Sequence, residues 1–385
     1  MAALLLLLFI AQCLWLIVHQ SSSNFMDEND FDRIAEGVAQ WHGRFIAGTP
    51  NPSPELIQAG AAQFDSHHGP VWYLAGSLLV AIFEVSPDTM SWIWLTRAPY
   101  VLFGALLGAS LWYVSRRLFG NAGGYIALTL YCFSPAVIRS SALWSTPPNI
   151  AGAWGTFGAV FTAIAVSHTL YAPREVVLWN WRRILLLGIS LALTIGSHFS
   201  LAIIIPVLII LMLYVAAERW AAAIAILAAG CAVGTLLLLA SYFFHAQVLW
   251  DGLAHARWLD VSGRAFVMRA TWLLVAKETL ASGPVLALMV PVAWVGYAVW
   301  RRTRYFGNSV PLWLNLLFLG LRVGTPHESG SVFGLVAVVF LFLFVAGIAA
   351  DLLETRFREL VTAVLTGLLA ANALWSLIGL ARIAR

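Results

Sequence analysis

The chain has 385 residues, of which 61% are hydrophobic and only 10% charged, and its mean hydropathy is +0.84. A sequence this apolar does not form a water-soluble globule, so we expect a polytopic membrane protein. The formal charge of +4 gives no case for nucleic acid as a partner, and the three cysteines lie far apart inside apolar stretches, which argues against a disulfide framework.

The first apolar run, residues 2–18, is about long enough to cross a bilayer and leads into two adjacent acids, Asp27 and Glu28. Carboxylates beside a hydrophobic helix are costly to desolvate unless a cation, a hydrogen bond or catalysis uses them. We therefore interpret Asp27 as a candidate general base supported by Glu28. The alternative is that both acids only cap the helix that follows.

An amphipathic helix is predicted directly after these acids. Apolar side chains recur there at helical spacing, at Phe31, Ile34, Val38 and Trp41. Such a helix lies along the membrane surface with its apolar face in lipid or protein. The apolar segment at 71–85 is short, and we predict that it lies in the outer interface without crossing.

The remaining apolar segments predict transmembrane helices, which with the first make about eleven. They lie at residues 96–115, 121–138, 149–170, 184–199, 201–217, 221–243, 281–300, 309–322, 331–350 and 360–380. The expected fold is therefore an all-α polytopic membrane protein with interfacial amphipathic helices in its first and fourth outer loops. We treat it as a single transmembrane domain made of five stretches. They are the first span (1–19), an outer loop (20–95), a helix module (96–243), the second outer loop (244–280) and the C-terminal spans (281–385).

Arginines cluster in short loops, for example at Arg116 and Arg117 and at Arg301 and Arg302, and such loops are typically cytoplasmic. With this sidedness, eight of the nine histidines fall on or near the outer side, which indicates a polar cavity open to that face. The second outer loop, 244–280, adds cations suited to holding phosphate.

Several phrases of the first 150 or so residues resemble, in order and spacing, the membrane glycosyltransferases of the C-type fold, particularly the protein mannosyltransferase and aminoarabinose transferase-like group. These phrases are Asp27-Glu28 after the first helix, His67 to Leu74, Arg97 to Gly104, Arg116 to Gly120 and Ser134-Pro135.

The resemblance implies an enzyme that moves a hexose or pentose from a polyprenyl-phosphate donor to an acceptor hydroxyl or amine at the outer face, with Asp27 as base. Inverting displacement at a sugar carbon needs a base near the acceptor and cations around the departing phosphate. Our candidates for the phosphate-binding cations are Arg269, Lys277 and Arg322. The candidates for positioning the acceptor are His67, His68 and His327.

The expected partners are the polyprenyl-phosphate sugar, an acceptor that is a lipid, a glycan or a protein, and membrane lipids, in a bacterial inner (plasma) membrane of the cell envelope. No cofactor is predicted. A divalent metal held by His67 and His68 with Asp27 or Glu28 is the alternative for those residues, because imidazole and carboxylate suit zinc. Other functional readings are a transporter, a flippase or ligase of polyprenyl-linked glycans, and a catalytically idle subunit.

Overall fold

The computed structural model describes residues 1–19, 28–42, 68–87, 89–142, 149–172, 180–327 and 330–383. Every regular element in these ranges is helical, which confirms the all-α prediction. The α-helices in chain order are α1 (Ala2–His19), α2 (Glu28–Trp41), α3 (Val71–Phe83), α4 (Met90–Cys132), α5 (Pro135–Ala142), α6 (Asn149–Thr169), α7 (Trp181–Ser197), α8 (Ile204–Val215), α9 (Trp220–Ser241), α10 (Ala246–His255), α11 (Arg269–Ala281), α12 (Leu286–Val299), α13 (Phe306–Gly324), α14 (Ser331–Leu353) and α15 (Arg358–Ile383). Short 3-10 turns lie at Phe199–Ile203, Ala217–Arg219, Gly263–Phe266 and Arg301–Thr303.

Within the described residues, six helices are long and apolar enough to cross a membrane, or seven if α11 and α12 together form one bent span. The chain is therefore an integral membrane protein. The predicted total of about eleven also counts shorter helices, and it stays a prediction.

Helix α3 matches the short apolar segment that we predicted at 71–85. It has 13 residues and therefore rises only about 20 Å, whereas a bilayer core is about 30 Å thick. Glu84 ends the helix in a left-handed conformation with φ of 49°. A straight helix of this length is shorter than a bilayer core, and the interfacial position of this segment stays a prediction.

Helix α4 is interrupted at Gly120, where φ is 72°. A side chain rarely adopts this conformation, so glycine suits the break. Gly120 lies between the two predicted spans at 96–115 and 121–138. The 43 residues of α4 are therefore two helices joined at a kink.

The chain divides into two compact units, each built from separate stretches of sequence. Unit 1 comprises Met1–Phe25, Val101–Thr146 and Asp260–Arg385, and unit 2 comprises Met26–Tyr100 and Pro147–Leu259. The prediction of a single domain with the five stretches given above is not decided by this division and stays a prediction.

The core of unit 1 is the apolar helix α14. In its most apolar stretch of 18 residues, 94% of the residues are buried. The ring of Phe340 on this helix stacks on Phe318 of α13, with centroids 6.1 Å apart. The Asn315 side-chain amide donates to the Ala337 carbonyl at 2.8 Å, so a polar bond joins the same two helices where no water is available.

A second polar junction of unit 1 lies where α4 ends and Pro135 begins α5. Proline has no N–H, so the break frees carbonyls that a regular helix would use. The Gln12 amide of α1 donates to the Cys132 carbonyl at 3.0 Å, and the Asn372 amide of α15 donates to the Phe133 carbonyl at 3.3 Å. Side chains from two distant helices thus satisfy this break.

Unit 2 is held together by close helix contacts at small residues. A Cβ atom at Gly155 of α6 would lie 2.7 Å from the Ser190 carbonyl of α7, and one at Gly188 of α7 would lie 2.4 Å from Val233 of α9. Small residues let transmembrane helices approach closely enough for dispersion forces to hold them.

Candidate functional site

Two of the predicted site residues, Asp27 and His67, lie outside the described residues. Glu28 is the first residue of α2, so Asp27 immediately precedes a helix N-terminus in the sequence. Backbone N–H groups at such a terminus favour an ionised carboxylate nearby. A helix is present in the predicted region, but it begins at Glu28 itself and not after the two acids, and the roles of Asp27 and Glu28 stay predictions.

Helix α2 packs on α3 within unit 2. The Trp41 indole donates to the Leu74 carbonyl at 3.1 Å, and a ring nitrogen of His42 lies 3.1 Å from the Ala81 carbonyl. Ile34 is fully buried, as its place on the predicted apolar face requires. These contacts fix the C-terminal half of α2 against α3.

A polar network connects α2 to α3. The sequence alone predicts no functional residue in it. Gln40 donates to the Glu36 carboxylate at 3.3 Å and accepts from the Tyr73 hydroxyl at 3.5 Å. Burial raises the pKa of Glu36 from its ordinary 4.5 to about 7, although the nearby charge of Arg33 and the Gln40 bond act in the opposite direction. Glu36 therefore titrates near neutral pH. In the sequence, the one sign of this network is that Glu36 and Gln40 are four residues apart, one helical turn, in the predicted amphipathic helix.

His68 is paired with a second histidine that the sequence analysis did not select. The ring centroids of His68 and His198 are 4.9 Å apart in an edge-to-face arrangement. Atoms Oγ of Ser200 and Nδ1 of His198 are 2.7 Å apart, a hydrogen bond that orients the buried imidazole. The pairing depends on Gly69, because a Cβ atom there would lie 2.5 Å from the Gly196 carbonyl.

Imidazole is a residue type suited to hydrogen bonds with sugar or acceptor hydroxyl groups, and the ring of His198 is itself buried. Sequence reasoning noted His198 only as one of the outer histidines, because it lies 130 residues from His68 and nothing in the spacing joins the two. In the described part of the chain, no group of three or more His, Cys, Asp or Glu side chains is arranged to hold a metal ion.

The predicted cations lie in unit 1, and two of them, Arg269 and Lys277, are on α11, which has one buried and one exposed side. Thr271, Val275 and Glu278 follow one another at helical spacing and point inward, with Thr271 and Val275 buried. Arg269 and Lys277 fall on the opposite side and are exposed. Among the residues that the structure describes, neither has a hydrogen-bond or ion-pair partner, so both cations are available to a ligand.

Arg322 of α13 is buried and fully engaged. Its Nε and Nη2 atoms donate to the two carboxylate oxygens of Glu278 at 2.9 and 2.6 Å, a bidentate ion pair. Nη1 donates to the carbonyls of Thr325 at 2.6 Å and His327 at 3.2 Å. The side chain of Arg322 is 4% exposed, whereas that of Glu278 is 39% exposed.

The structure gives Arg322 and His327 contacts that the sequence did not predict. Arg322 is paired with a carboxylate, and His327 accepts a hydrogen bond through its backbone carbonyl while its side chain is exposed. The structure thus brings Arg322 together with Glu278, whereas Arg269 and Lys277 lie on the opposite, exposed side of α11.

Neither the protein-family models nor the curated protein sequences contain a match to the chain. Among solved structures it is similar to the archaeal oligosaccharyltransferase AglB from Archaeoglobus fulgidus in complex with an inhibitory peptide and a dolichol-phosphate. That superposition has a TM-score of 0.61 at 12% identity and covers 99% of this chain and 56% of that one. The Archaeoglobus fulgidus oligosaccharyltransferase complex with Zn and sulfate gives a TM-score of 0.60 at 12% identity, over 98% of this chain and 53% of that one. The form tethered through a disulfide bond to an acceptor peptide containing the NVT sequon gives a TM-score of 0.61 at 12% identity. That superposition covers 100% of this chain and 55% of that one.

The chain thus spans a little over half the length of each of these structures, and nearly all of it is aligned. Identity at this level shows a shared fold and leaves catalytic residues unassigned. The chain therefore shares the fold of these oligosaccharyltransferase structures over the part of them that it spans.

Proposed function

We propose that this protein is a membrane glycosyltransferase that moves a sugar from a polyprenyl-phosphate donor to an acceptor hydroxyl or amine. The observation that carries the proposal is the fold likeness over almost the whole chain to enzymes that transfer glycans. One of those structures holds a dolichol-phosphate, which is itself a polyprenyl phosphate. The resemblance of the first 150 or so residues to the protein mannosyltransferase and aminoarabinose transferase-like group supports a donor with a single sugar.

The proposed reaction is an inverting displacement at the anomeric carbon. The acceptor oxygen or nitrogen forms the new bond, the bond between the sugar carbon and the phosphate oxygen breaks, and polyprenyl phosphate leaves with the electron pair. Asp27 takes the acceptor proton, and Glu28 supports it by a hydrogen bond or by orienting the acceptor. His67, His68 and His327 position the acceptor, and we add His198, because Ser200 orients its ring beside His68.

The proposed phosphate-binding cations are Arg269, Lys277 and Arg322. Arg269 and Lys277 are exposed and have no protein partner among the described residues, so they neutralise the leaving phosphate directly. Arg322 already offers two parallel N–H groups to a carboxylate, and phosphate oxygens accept in the same geometry. In the proposal, Glu278 keeps this guanidinium in place until the phosphate takes over as its acceptor.

We further propose that the enzyme works in the cell envelope, in the inner (plasma) membrane of a bacterium, with its site facing outward. The support is the distribution of arginines in the short loops. No metal has a part in this scheme, and a divalent ion held through His67 and His68 stays the alternative.

A second candidate is transfer of a lipid-linked oligosaccharide to a peptide. It is favoured by the names of the similar structures, which are oligosaccharyltransferases with bound peptides. The two candidates share the donor phosphate chemistry and differ in the size of the transferred glycan and in the acceptor.

The test is to incubate the purified protein with a panel of polyprenyl-phosphate monosaccharides and, separately, polyprenyl-linked oligosaccharides. Release of polyprenyl phosphate from a monosaccharide donor, lost in the Asp27→Asn protein, is the expected result. Release from oligosaccharide donors alone would favour the second candidate. If no donor releases its lipid, while proteoliposomes accumulate a labelled glycan, the protein is a transporter or flippase and the proposal is wrong.

A further inference from the structure

Five arginines gather at one end of unit 1, in or next to two short connections that the glycosyl-transfer proposal does not use. The first connection joins α12 to α13 over residues 300–305, and the second joins α14 to α15 over residues 354–357. We call these connections, together with Arg358 at the start of α15, the loop pair, and its arginines are Arg301, Arg302, Arg304, Arg356 and Arg358.

Side-chain bonds hold the two connections next to each other. Arg302 forms an ion pair with Glu354. Asn308, at the start of α13, donates to the Asp351 carboxylate at 2.8 Å, and the Tyr305 hydroxyl donates to the same carboxylate at 3.4 Å. The positive charges of the two loops therefore belong to one surface.

Among the described residues, two of the five guanidinium groups form hydrogen bonds or an ion pair within the protein. Arg302 has Glu354 as its partner, and Arg304 donates to the carbonyls of Tyr297 and Ala298 at the end of α12. The other three arginines, Arg301, Arg356 and Arg358, are exposed. In the part of the chain that the structure describes, none of the three has a carboxylate within ion-pair distance, so no salt bridge neutralises their charges.

Apolar and aromatic groups border this surface. The Arg356 guanidinium lies 4.7 Å from the centroid of the Phe357 ring, which is itself 54% exposed. Val299 at the end of α12 is 77% exposed, and Leu360 in the first turn of α15 is 64% exposed. Cations that adjoin exposed aliphatic side chains at the ends of apolar helices match a ligand with a charged head and hydrocarbon tails.

We propose that the loop pair is a binding site for an anionic phospholipid. The guanidinium groups of Arg301, Arg356 and Arg358 hold the phosphodiester headgroup, and the acyl chains lie along the exposed aliphatic side chains of α12 and α15. A soluble phosphate ester would contact the arginines but leave the exposed aliphatic side chains uncovered. A zwitterionic headgroup would bring its own positive charge toward the arginines. The site therefore selects lipids with net negative charge.

Binding is measured as the rise in melting temperature when phosphatidylglycerol is added to the full-length protein in a neutral detergent, with phosphatidylcholine as the reference lipid. A ligand that binds only the folded state raises the melting temperature saturably, and a rise of roughly 3 °C at saturation is expected. The triple variant Arg301→Gln, Arg356→Gln, Arg358→Gln should lose most of that rise. A matched triple variant at other exposed arginines of unit 1, Arg139→Gln, Arg264→Gln, Arg382→Gln, removes the same charge and should keep it.

Each outcome decides the proposal. A full rise in the loop-pair variant, or an equal loss in the matched variant, would overturn it in favour of non-specific charge attraction. An equal rise of the parent protein with glycerol phosphate would identify a free phosphate ester in place of a lipid. If the triple variant does not fold, as judged by its helical circular dichroism in phosphatidylcholine, the three single variants are measured, and each should lose part of the rise. Full rises in all three would then refute the site.

Discussion

Replacing Glu278 by Gln tests whether the bidentate pair with Arg322 stabilises unit 1. The variant keeps the shape of the side chain but leaves the guanidinium of Arg322, which is 4% exposed, opposite a neutral group. Orphaning one partner of a fully buried pair typically costs about 3 to 5 kcal/mol. Because the Glu278 side chain is 39% exposed, water screens part of this interaction, and we expect a loss of about 2 kcal/mol.

That loss converts into a shift in melting temperature. An unfolding entropy of about 2.1 cal/mol/K per residue, over the 385 residues of the chain, gives about 0.8 kcal/mol/K. The variant should therefore melt about 2 to 3 °C below the parent, as measured by thermal unfolding in detergent. The matched control is Lys277→Gln, since Lys277 is the neighbouring residue on α11 but is exposed and has no ion-pair partner among the described residues. Its effect should stay within about 0.5 kcal/mol.

A double-mutant cycle sharpens the test. If the charges interact, the Glu278→Gln, Arg322→Gln double variant should lose less stability than the sum of its single variants, because the neutral pair leaves no orphaned charge. Equal melting temperatures for the Glu278→Gln and Lys277→Gln proteins, together with additive single losses, would refute the reasoning.

Four further expectations concern the proposed chemistry, pH and topology. Asp27→Asn should lower sugar transfer by about a hundred- to ten-thousandfold while donor binding is retained, and transfer within a few-fold of the parent would remove the role of base. Lys277→Ala should lower turnover about a hundredfold without changing the binding of a neutral lipid; unchanged turnover in it and in the equivalent Arg269 variant would exclude the phosphate role. The pKa of Glu36 rises from 4.5 to about 7 on folding, so the folded state binds more protons between these values and stability should fall as pH rises through that window; Glu36→Gln should flatten the melting temperature between pH 5 and about 7.5, and an unchanged slope would contradict the burial. A cysteine at the exposed Asn121 should resist an impermeant thiol reagent added outside intact cells, and efficient labelling would reverse the sidedness.

The sequence predicts helices well where composition alone decides them. The apolar runs at 149–170 and 331–350 correspond to α6 and α14, because a long apolar stretch in lipid must close its own backbone hydrogen bonds. It does not predict how helices bend. The span expected at 281–300 instead begins after a bend of 105° between α11 and α12, since hydropathy records residue type and carries no direction.

The candidate site divides in the same way. The residue types that suit phosphate and acceptor chemistry are visible in the sequence, but their partners are not. Glu278 lies 44 residues before Arg322 and was never considered as its partner, and His198 lies far along the chain from His68. Such pairs arise only from packing between helices, for which a single sequence holds no spacing rule.

The polar junction at the end of α4 has a consequence for the biogenesis of the protein. The carbonyl of Phe133 receives its amide from Asn372, which the ribosome adds 239 residues later. Until α15 enters the membrane, the early helices carry a hydrogen-bond acceptor without its final partner, at a depth where an unsatisfied carbonyl is costly. The first helices of unit 1 are therefore inserted in a provisional arrangement, and synthesis of α15 completes it.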